Sequence, residues 1–246
     1  SHKGTRGDVA IVGGAPGMTG AALLAASAAL HAGVGRVLVS LLDDNAIGVD
    51  LLQPELMMRP YRQLPIETLT VVCGCGGGES VATVLSEVLA RAPRLVLDAD
   101  ALNAIAADPA LRTLLIQRNT AQHTVLTPHP LEAARLLGCD TTHVQSNRLS
   151  AAQELADRLQ CTVVLKGSGT ITAAPGQIPA INPTGNGLLA TGGTGDVLAG
   201  LLGTRMASGM PSFEAAWTGV YQHAALADQW PRNTALTASA LAKSLQ

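Results

Sequence analysis

The chain is poor in aromatic residues: Phe, Trp and Tyr make up 2% of its 246 positions. Single-stranded nucleic acid is usually gripped by aromatic rings along a basic groove. Lys and Arg are scattered here and the formal net charge is −2, which argues against nucleic acid as a partner. Any flat ligand ring must also lie mainly against aliphatic side chains and backbone. Charged residues are scarce too, at 14%, while hydrophobic residues reach 47%; this composition excludes disorder. Long hydrophobic runs are missing. The most apolar helical stretch, Ala21 to Ala32, is about 12 residues, short of the ~20 that a membrane span requires. Cysteine is limited to Cys73, Cys75, Cys139 and Cys161. Cys73-Gly-Cys75 is too tight for a C-x2-C zinc pair, and no second pair exists. The four are expected to be small buried hydrophobes in a reducing compartment, with the cytoplasm as the default location. The first residue is Ser rather than Met. Nothing near it reads as a secretory signal, and a processed or trimmed start is expected.

Apolar runs of strand length alternate with helical segments. Strands are expected at 8–12, 36–41, 70–73, 94–98, 124–127 and 162–166. A further strand at 171–174 would join the last through the Gly167-Ser168-Gly169 turn as a hairpin. Most are Val/Leu-rich without clear alternation, the pattern of strands buried on both faces. Helices are expected at 20–32, 79–91, 101–107, 130–137, 147–159, 196–208, 212–228 and 235–245. Strand–helix alternation gives an α/β fold with a mostly parallel sheet between helix layers. No repeat, linker or long charge run breaks the chain, so residues 1–246 are expected to form one domain.

In such sheets ligands bind beyond the carboxyl ends of the strands. There the chain places Gly13–Gly17, Gly74–Gly78, Asp98-Ala99-Asp100, Pro128-His129-Pro130 and Lys166-Gly167-Ser168. The most informative stretch is Gly192-Gly193-Thr194-Gly195-Asp196, followed by an apolar helix. Its glycines let the backbone turn and expose N–H groups, and the helix adds the positive end of its dipole. This is an anion hole suited to a phosphate, and Asp196 stands where a base could act on an attacking hydroxyl. The loop lacks the Lys-Ser/Thr of a Walker P-loop.

Lys166 is expected to neutralise phosphate charge. His129, between prolines, is biased to an extended geometry and is a candidate substrate contact. Glu132 suits either a first-turn dipole partner or an outer contact to Mg²⁺ on nucleotide phosphates. Asp98 and Asp100 could form a carboxylate dyad, but a structural role is expected, with Asp100 and Asn103 capping the next helix. Gly20-Ala21-Ala22 would face a flat substrate or let its helix pack closely.

Taken in order, Ser1-His-Lys-Gly-Thr-Arg-Gly7, Gly17-Met-Thr-Gly-Ala-Ala22, Leu97-Asp-Ala-Asp-Ala-Leu-Asn103 and Thr127-Pro-His-Pro-Leu-Glu132 form a set. Leu165-Lys-Gly-Ser-Gly-Thr170, Asn182-Pro-Thr-Gly-Asn186 and Gly192-Gly-Thr-Gly-Asp196 complete it. The set resembles the ADP-dependent NAD(P)H-hydrate dehydratases of the ribokinase-like superfamily, over essentially the whole chain. The resemblance implies a three-layer α/β/α sandwich without a lid. It also implies repair of S-form hydrates of NADH or NADPH, with ADP consumed and AMP and phosphate released.

By the same resemblance, Lys166, Gly167, Ser168, Gly169, Thr170 and Gly195 would bind the nucleotide; Gly192, Gly193 and Thr194, as the rest of the anion-hole loop, are expected to join them. Ala21, Gly76, His129 and Asp196 would bind the hydrated dinucleotide, with Asp196 as the catalytic base. The Asn-x-x-Glu of the superfamily is similar to His129-Pro-Leu-Glu132, which makes Glu132 the metal candidate and Mg²⁺ the expected ion. Leu131 stands where the family usually has Gly. Many relatives carry a fused epimerase domain, so an epimerase is an expected functional partner, and this chain is either free-standing or an excised half. A homo-oligomer is expected. A vitamin-type small-alcohol kinase and a silent nucleotide-binding module remain the alternatives.

Overall fold

The computed structural model describes residues 7–118 and 123–245. The opening Ser-His-Lys-Gly-Thr-Arg run lies outside the described residues. β1 (Asp8–Gly13), α1 (Thr19–His31) and β2 (Arg36–Leu41) begin the chain, and β3 (Met57–Met58) follows a long connection. Then come β4 (Thr70–Cys73), α2 (Ala82–Arg91), β5 (Arg94–Leu97), α3 (Asp100–Ala107) and α4 (Pro109–Ile116). β6 (His123–Leu126), α5 (Pro130–Leu137), α6 (Thr141–Ser146), α7 (Arg148–Leu159), β7 (Thr162–Leu165), β8 (Ile171–Ala173) and β9 (Ala180–Ile181) continue it. α8 (Thr194–Ala207), α9 (Ser212–Asp228) and α10 (Ala238–Lys243) close it.

The nine strands of the described residues join one sheet in the order β3-β2-β1-β4-β5-β6-β7-β8-β9. Pairings from β3 to β7 are parallel. The β7–β8 and β8–β9 pairings are antiparallel, so the expected hairpin through Gly167–Gly169 forms. Strand order reverses beside β1, and the crevice between β1 and β4 is the switch point at which such sheets bind ligands.

Strand residues point alternately to the two faces. Ala10, Val12, Val71, Cys73, Leu95 and Leu97 share one core with α2, α3, α5 and α7. Val9, Ile11, Val37, Val39, Val72 and Val96 share the other with α1, α8 and α9. Both sets are apolar, hence the continuous Val/Leu runs. α10, through Leu241, and Leu245 just after it seal the outside of α1 and α8. α8 runs against α1 so closely that a Cβ on Gly200 would sit 2.0 Å from the carbonyl oxygen of Ala25. Among the described residues no helix is long and apolar enough to cross a membrane.

Several expected bounds change. The segment 79–91 opens as a 3-10 turn at Glu79–Val81 before α2. The last helix starts at Ala238 rather than 235, capped by the Thr237 side chain. α8 starts two residues earlier than expected, at Thr194. Two helices and two strands were not expected. α4 is signalled by the Asp108 cap and Pro109. α6 is a single polar turn-and-a-half capped by Asp140. β3 and β9 are two-residue edges defined only by their neighbours.

Candidate active site

The loops after β1 and β4 are zipped together at the switch point. Gly14 N–H donates to the Cys75 carbonyl at 3.0 Å and Ala15 N–H to the Gly76 carbonyl at 2.7 Å. A Cβ on Gly76 would meet the Met18 carbonyl oxygen at 2.6 Å and the Ala21 Cβ at 2.8 Å. Two of the expected substrate contacts, Ala21 and Gly76, are therefore neighbours.

Next to them β5 ends in Asp98, which is only 2% exposed. Its Oδ1 accepts from the Thr127 hydroxyl at 2.6 Å and from the Lys166 ammonium at 2.7 Å. Lys166 therefore does not extend to the surface; its side chain is 20% exposed. Burial works against its charge, but Asp98 and Glu132 more than offset this and raise its pKa above the ordinary lysine value. Ala99 holds a φ of +49°, uncommon for a residue with a side chain. That kink separates Asp98 from Asp100, which turns to accept from the Gly78 N–H at 2.8 Å. The expected caps are corrected here. Neither Asp100 nor Asn103 caps α3, whose start carries no side-chain cap, and Asn103 accepts from Arg135 instead.

Gly193 is the N-cap of α8, with φ +90°, the left-handed region that glycine adopts freely. Asp196 follows in the first helical turn, where N–H groups have no intrahelical partners. One carboxylate oxygen each of Asp196 and Asp98 and the Cys75 sulfur all lie within 4.8 Å of one another. Desolvation, and then the charge of Asp98, push the Asp196 pKa from 3.8 up to about 7. Lys166 reaches the same loop, since a Cβ on Gly195 would sit 3.4 Å from its Nζ. The Thr194 side chain points inward, donating to the carbonyls of Leu189 and Thr191, so only its backbone is available at the loop. His223 on α9 fixes that backbone through Nε2 to the Thr194 carbonyl at 2.9 Å. Burial drives the His223 pKa down to about 4; the ring is neutral and Nε2 carries the donating proton.

His129 takes the extended geometry expected between prolines, with φ −79° and ψ 169°. Its Nδ1 accepts the N–H groups of Leu131 and Glu132, while Glu132 Oε2 accepts the His129 N–H at 2.7 Å. This reciprocal box caps α5. Burial and then Lys166 lower the His129 pKa, so its 3.3 Å contact to Glu132 Oε1 is made by a neutral ring. Glu132 is 4% exposed, and desolvation raises its pKa. Leu131, 44% exposed, projects from the helix start.

Beyond Lys166 the chain turns through Gly167, Ser168 and Gly169. The Thr170 hydroxyl closes this turn on the Gly167 carbonyl at 2.9 Å. Arg148 braces it from behind, donating to the carbonyls of Leu165, Lys166 and Gly169. The Asn182–Asn186 motif is tied to the end of α9: Asp228 accepts from Gly185 N–H and from the Asn186 amide.

Asp98 was weighed from the sequence as a dyad member but expected to be structural. Sequence reasoning missed three other contributors. Cys75 carried a signal, its place at a strand end in an unusual glycine run. Arg148 and His223 act through backbone carbonyls of distant loops, and nothing local marks them.

A model of the NAD(P)H-hydrate dehydratase family matches residues 9–246. The chain belongs to this family. The ADP-dependent (S)-NAD(P)H-hydrate dehydratase of Neisseria meningitidis is 41% identical over 98% of this chain and 83% of its own length. The bifunctional NAD(P)H-hydrate repair enzyme of Escherichia coli is 37% identical over 93% of this chain, which spans only 44% of that protein. Among solved structures, the ADP/ATP-dependent NAD(P)H-hydrate dehydratase from Bacillus subtilis, co-crystallized with ATP/Mg²⁺, superposes with a TM-score of 0.83. It is 33% identical, covering 100% of this chain and 89% of its own. A ribokinase-like superfamily protein from Enterococcus faecalis, 24% identical, has the same fold, superposing with a TM-score of 0.82 over 100% of this chain and 87% of its own.

Proposed function

We propose that this chain dehydrates the S-form hydrates of NADH and NADPH with ADP, forming the reduced dinucleotide, AMP and phosphate. The observation that carries the reading is Asp196: a carboxylate with its pKa pushed up to about 7, behind a glycine loop at a helix N-terminus, beside the half-buried Lys166. A base of that pKa is poised for proton removal at neutral pH.

Hydroxide is a poor leaving group, so the C6 hydroxyl must be activated. Asp196 takes its proton, and the oxygen attacks the terminal phosphorus of ADP. The bond from that phosphorus to AMP breaks. Backbone N–H groups of the Gly192–Gly195 loop and the Lys166 ammonium stabilise the charge spread over the transferring group. The C6–O bond then breaks and phosphate departs. A proton is lost from the adjacent ring carbon and the double bond re-forms. Gly167, Ser168, Gly169 and Thr170 carry the rest of the nucleotide. Ala21, Gly76 and His129 hold the hydrated ring, whose flat faces meet aliphatic groups and backbone.

Mg²⁺ favours oxygen donors and usually keeps several waters beside substrate phosphates. The Cys75, Asp98 and Asp196 trio does not suit it: burial keeps the soft Cys75 thiol protonated, and Lys166 already sits on Asp98. Glu132 fits as an outer contact through water, because both its oxygens face His129 and direct ligation would open the α5 cap. Bound there, the ion would neutralise nucleotide phosphate charge.

Residues 1–246 are proposed to act as one domain, in the cytoplasm, with an epimerase that interconverts the hydrate epimers as functional partner. Self-association is also proposed: Ile181, Trp217 and Tyr221 are exposed apolar residues that line one cleft between β9 and α9. Sedimentation velocity would report it.

The activity is tested by analysing products from the S-hydrate, Mg²⁺ and nucleotide. Free phosphate with restored dihydronicotinamide supports the dehydratase. A stable phosphorylated alcohol from a thiazole, pyrimidine or pyridoxal substrate, with no hydrate turnover, would overturn it in favour of a vitamin-type kinase.

A further inference from the structure

We infer that His223 is a positioning residue for the phosphate site, aiming the Gly195 N–H at the transferring phosphoryl group by holding the peptide that joins Thr194 to Gly195. The inference rests on the glycine loop taking nucleotide phosphate, as proposed above. Between Gly192 and Gly195 only Thr194 carries a side chain. Glycine imposes little restraint on the backbone, so such a loop needs tethers from outside it. Thr194 supplies the points of attachment. Its hydroxyl donates to the carbonyls of Leu189 at 2.7 Å and Thr191 at 3.0 Å. Its carbonyl accepts from His223 Nε2 at 2.9 Å.

A trans peptide is planar, so its carbonyl and the N–H that follows point in opposite directions. Gripping the Thr194 carbonyl on one side therefore sets the direction of the Gly195 N–H on the other. That N–H lies in the first turn of α8, where it has no intrahelical acceptor. Among the described residues neither it nor the Asp196 N–H donates to another backbone carbonyl. Gly195 borders the site itself, since a Cβ there would be 3.4 Å from Lys166 Nζ. A donor on the carbonyl also polarises the peptide and strengthens its N–H as a donor. His223 is well placed for this. It is 6% exposed, on a face of α9 that also buries Val220, Ala224 and Ala227. Its ring is neutral, and the carbonyl can only accept, so the proton sits on Nε2. Charge in a transition state is stabilised by donors fixed before the reaction begins. Here α9, which lies outside the loop, does the fixing.

The test compares wild type with His223→Leu, which removes the donor, and His223→Gln, whose amide nitrogen can reach the same carbonyl. Melting temperatures are the folding control. In the full chain without ligand, the NMR signal of the Gly195 amide should shift in His223→Leu and return toward its wild-type position in His223→Gln. ADP affinity by calorimetry should fall about 3-fold or more in the leucine variant, part of the ~10-fold that one hydrogen bond to a charged group carries, and recover in the glutamine variant. On the S-hydrate, kcat should fall about 10-fold or more while KM for the hydrate stays near wild type. A misdirected donor forfeits part of the ~10²–10³ in rate that such a donor contributes. Should His223→Leu fail to fold, His223→Phe keeps a ring without a donor and repeats the comparison. A Gly195 signal or an ADP affinity unchanged in a folded donorless variant, or a glutamine variant that behaves like leucine, would overturn the inference. The NMR and calorimetric readouts do not depend on turnover. A wild-type protein that binds ADP yet leaves the hydrate unchanged would count against the proposed function and leave both comparisons intact.

Discussion

Replacing Asp196 with asparagine should abolish turnover and stabilise the fold, by an amount that depends on pH. The side chain keeps its shape and loses its charge. In the folded protein the Asp196 carboxyl has a pKa of about 7, against 3.8 when unperturbed. The folded state therefore holds a proton that the unfolded state has released between those values. Below pH 4 both states are protonated and the group is neutral in its effect. As pH rises from 4 to 7 wild type is increasingly destabilised because the folded state must keep that proton bound; above 7 the buried group ionises and the cost is constant. At 1.36 kcal/mol per pH unit of difference the full cost is roughly 4 kcal/mol. Partial solvent contact of the carboxylate reduces it to about 2–4 kcal/mol. Urea unfolding of both proteins at pH 4, 6 and 8 should give curves that nearly coincide at pH 4. By pH 8 the variant should be the more stable by about 2–4 kcal/mol. Turnover on the hydrate should fall at least ~10²-fold, the usual size of a general-base contribution. A stability difference that does not vary with pH would refute the assigned environment, and near-normal turnover would refute the assigned role.

Further consequences concern the groups around it. Lys166→Met leaves Asp98 buried without its cation, so chemical denaturation should show a loss of about 3–5 kcal/mol, and nucleotide affinity by calorimetry should drop. Gly200→Ala would place a Cβ against the Ala25 carbonyl; overpacking should cost about 1–3 kcal/mol, read as a lower melting temperature with the active-site residues unchanged. Glu132→Ala removes half of the α5 capping box. It should cost about 1 kcal/mol and raise the Mg²⁺ concentration needed for half-maximal rate; an unchanged Mg²⁺ requirement would remove Glu132 from the metal's surroundings.

Much of this arrangement was legible because it depends on local chemistry. Buried parallel strands must be apolar on both faces, so the Val/Leu runs from Asp8 to Leu165 marked the sheet. The glycine loop before Asp196 and the prolines around His129 announced themselves by backbone requirement. What escaped depends on tertiary partners. β3 and β9 are strands only because β2 and β8 pair with them. Asp98, weighed with Asp100 as a carboxylate dyad and expected to be structural, is placed at the centre by the kink at Ala99 and by the ammonium of Lys166, distant in sequence. Cys75 was assigned to packing, which its burial bears out, yet its 3.9 Å contact with the Asp98 carboxylate is visible only in three dimensions. Arg148 and His223 hold loops through main-chain oxygens, a role that carries no residue pattern of its own.

The central claim is that the Asp196 centre couples a nucleotide to the loss of water from a hydrated dinucleotide. The most direct test mixes the protein with the S-form hydrate of NADH, Mg²⁺ and either ADP or ATP, and follows the dihydronicotinamide absorbance. The account predicts recovery of absorbance with ADP, with AMP and phosphate formed in equal amounts. No recovery with either nucleotide, in protein shown to bind ADP, would contradict it.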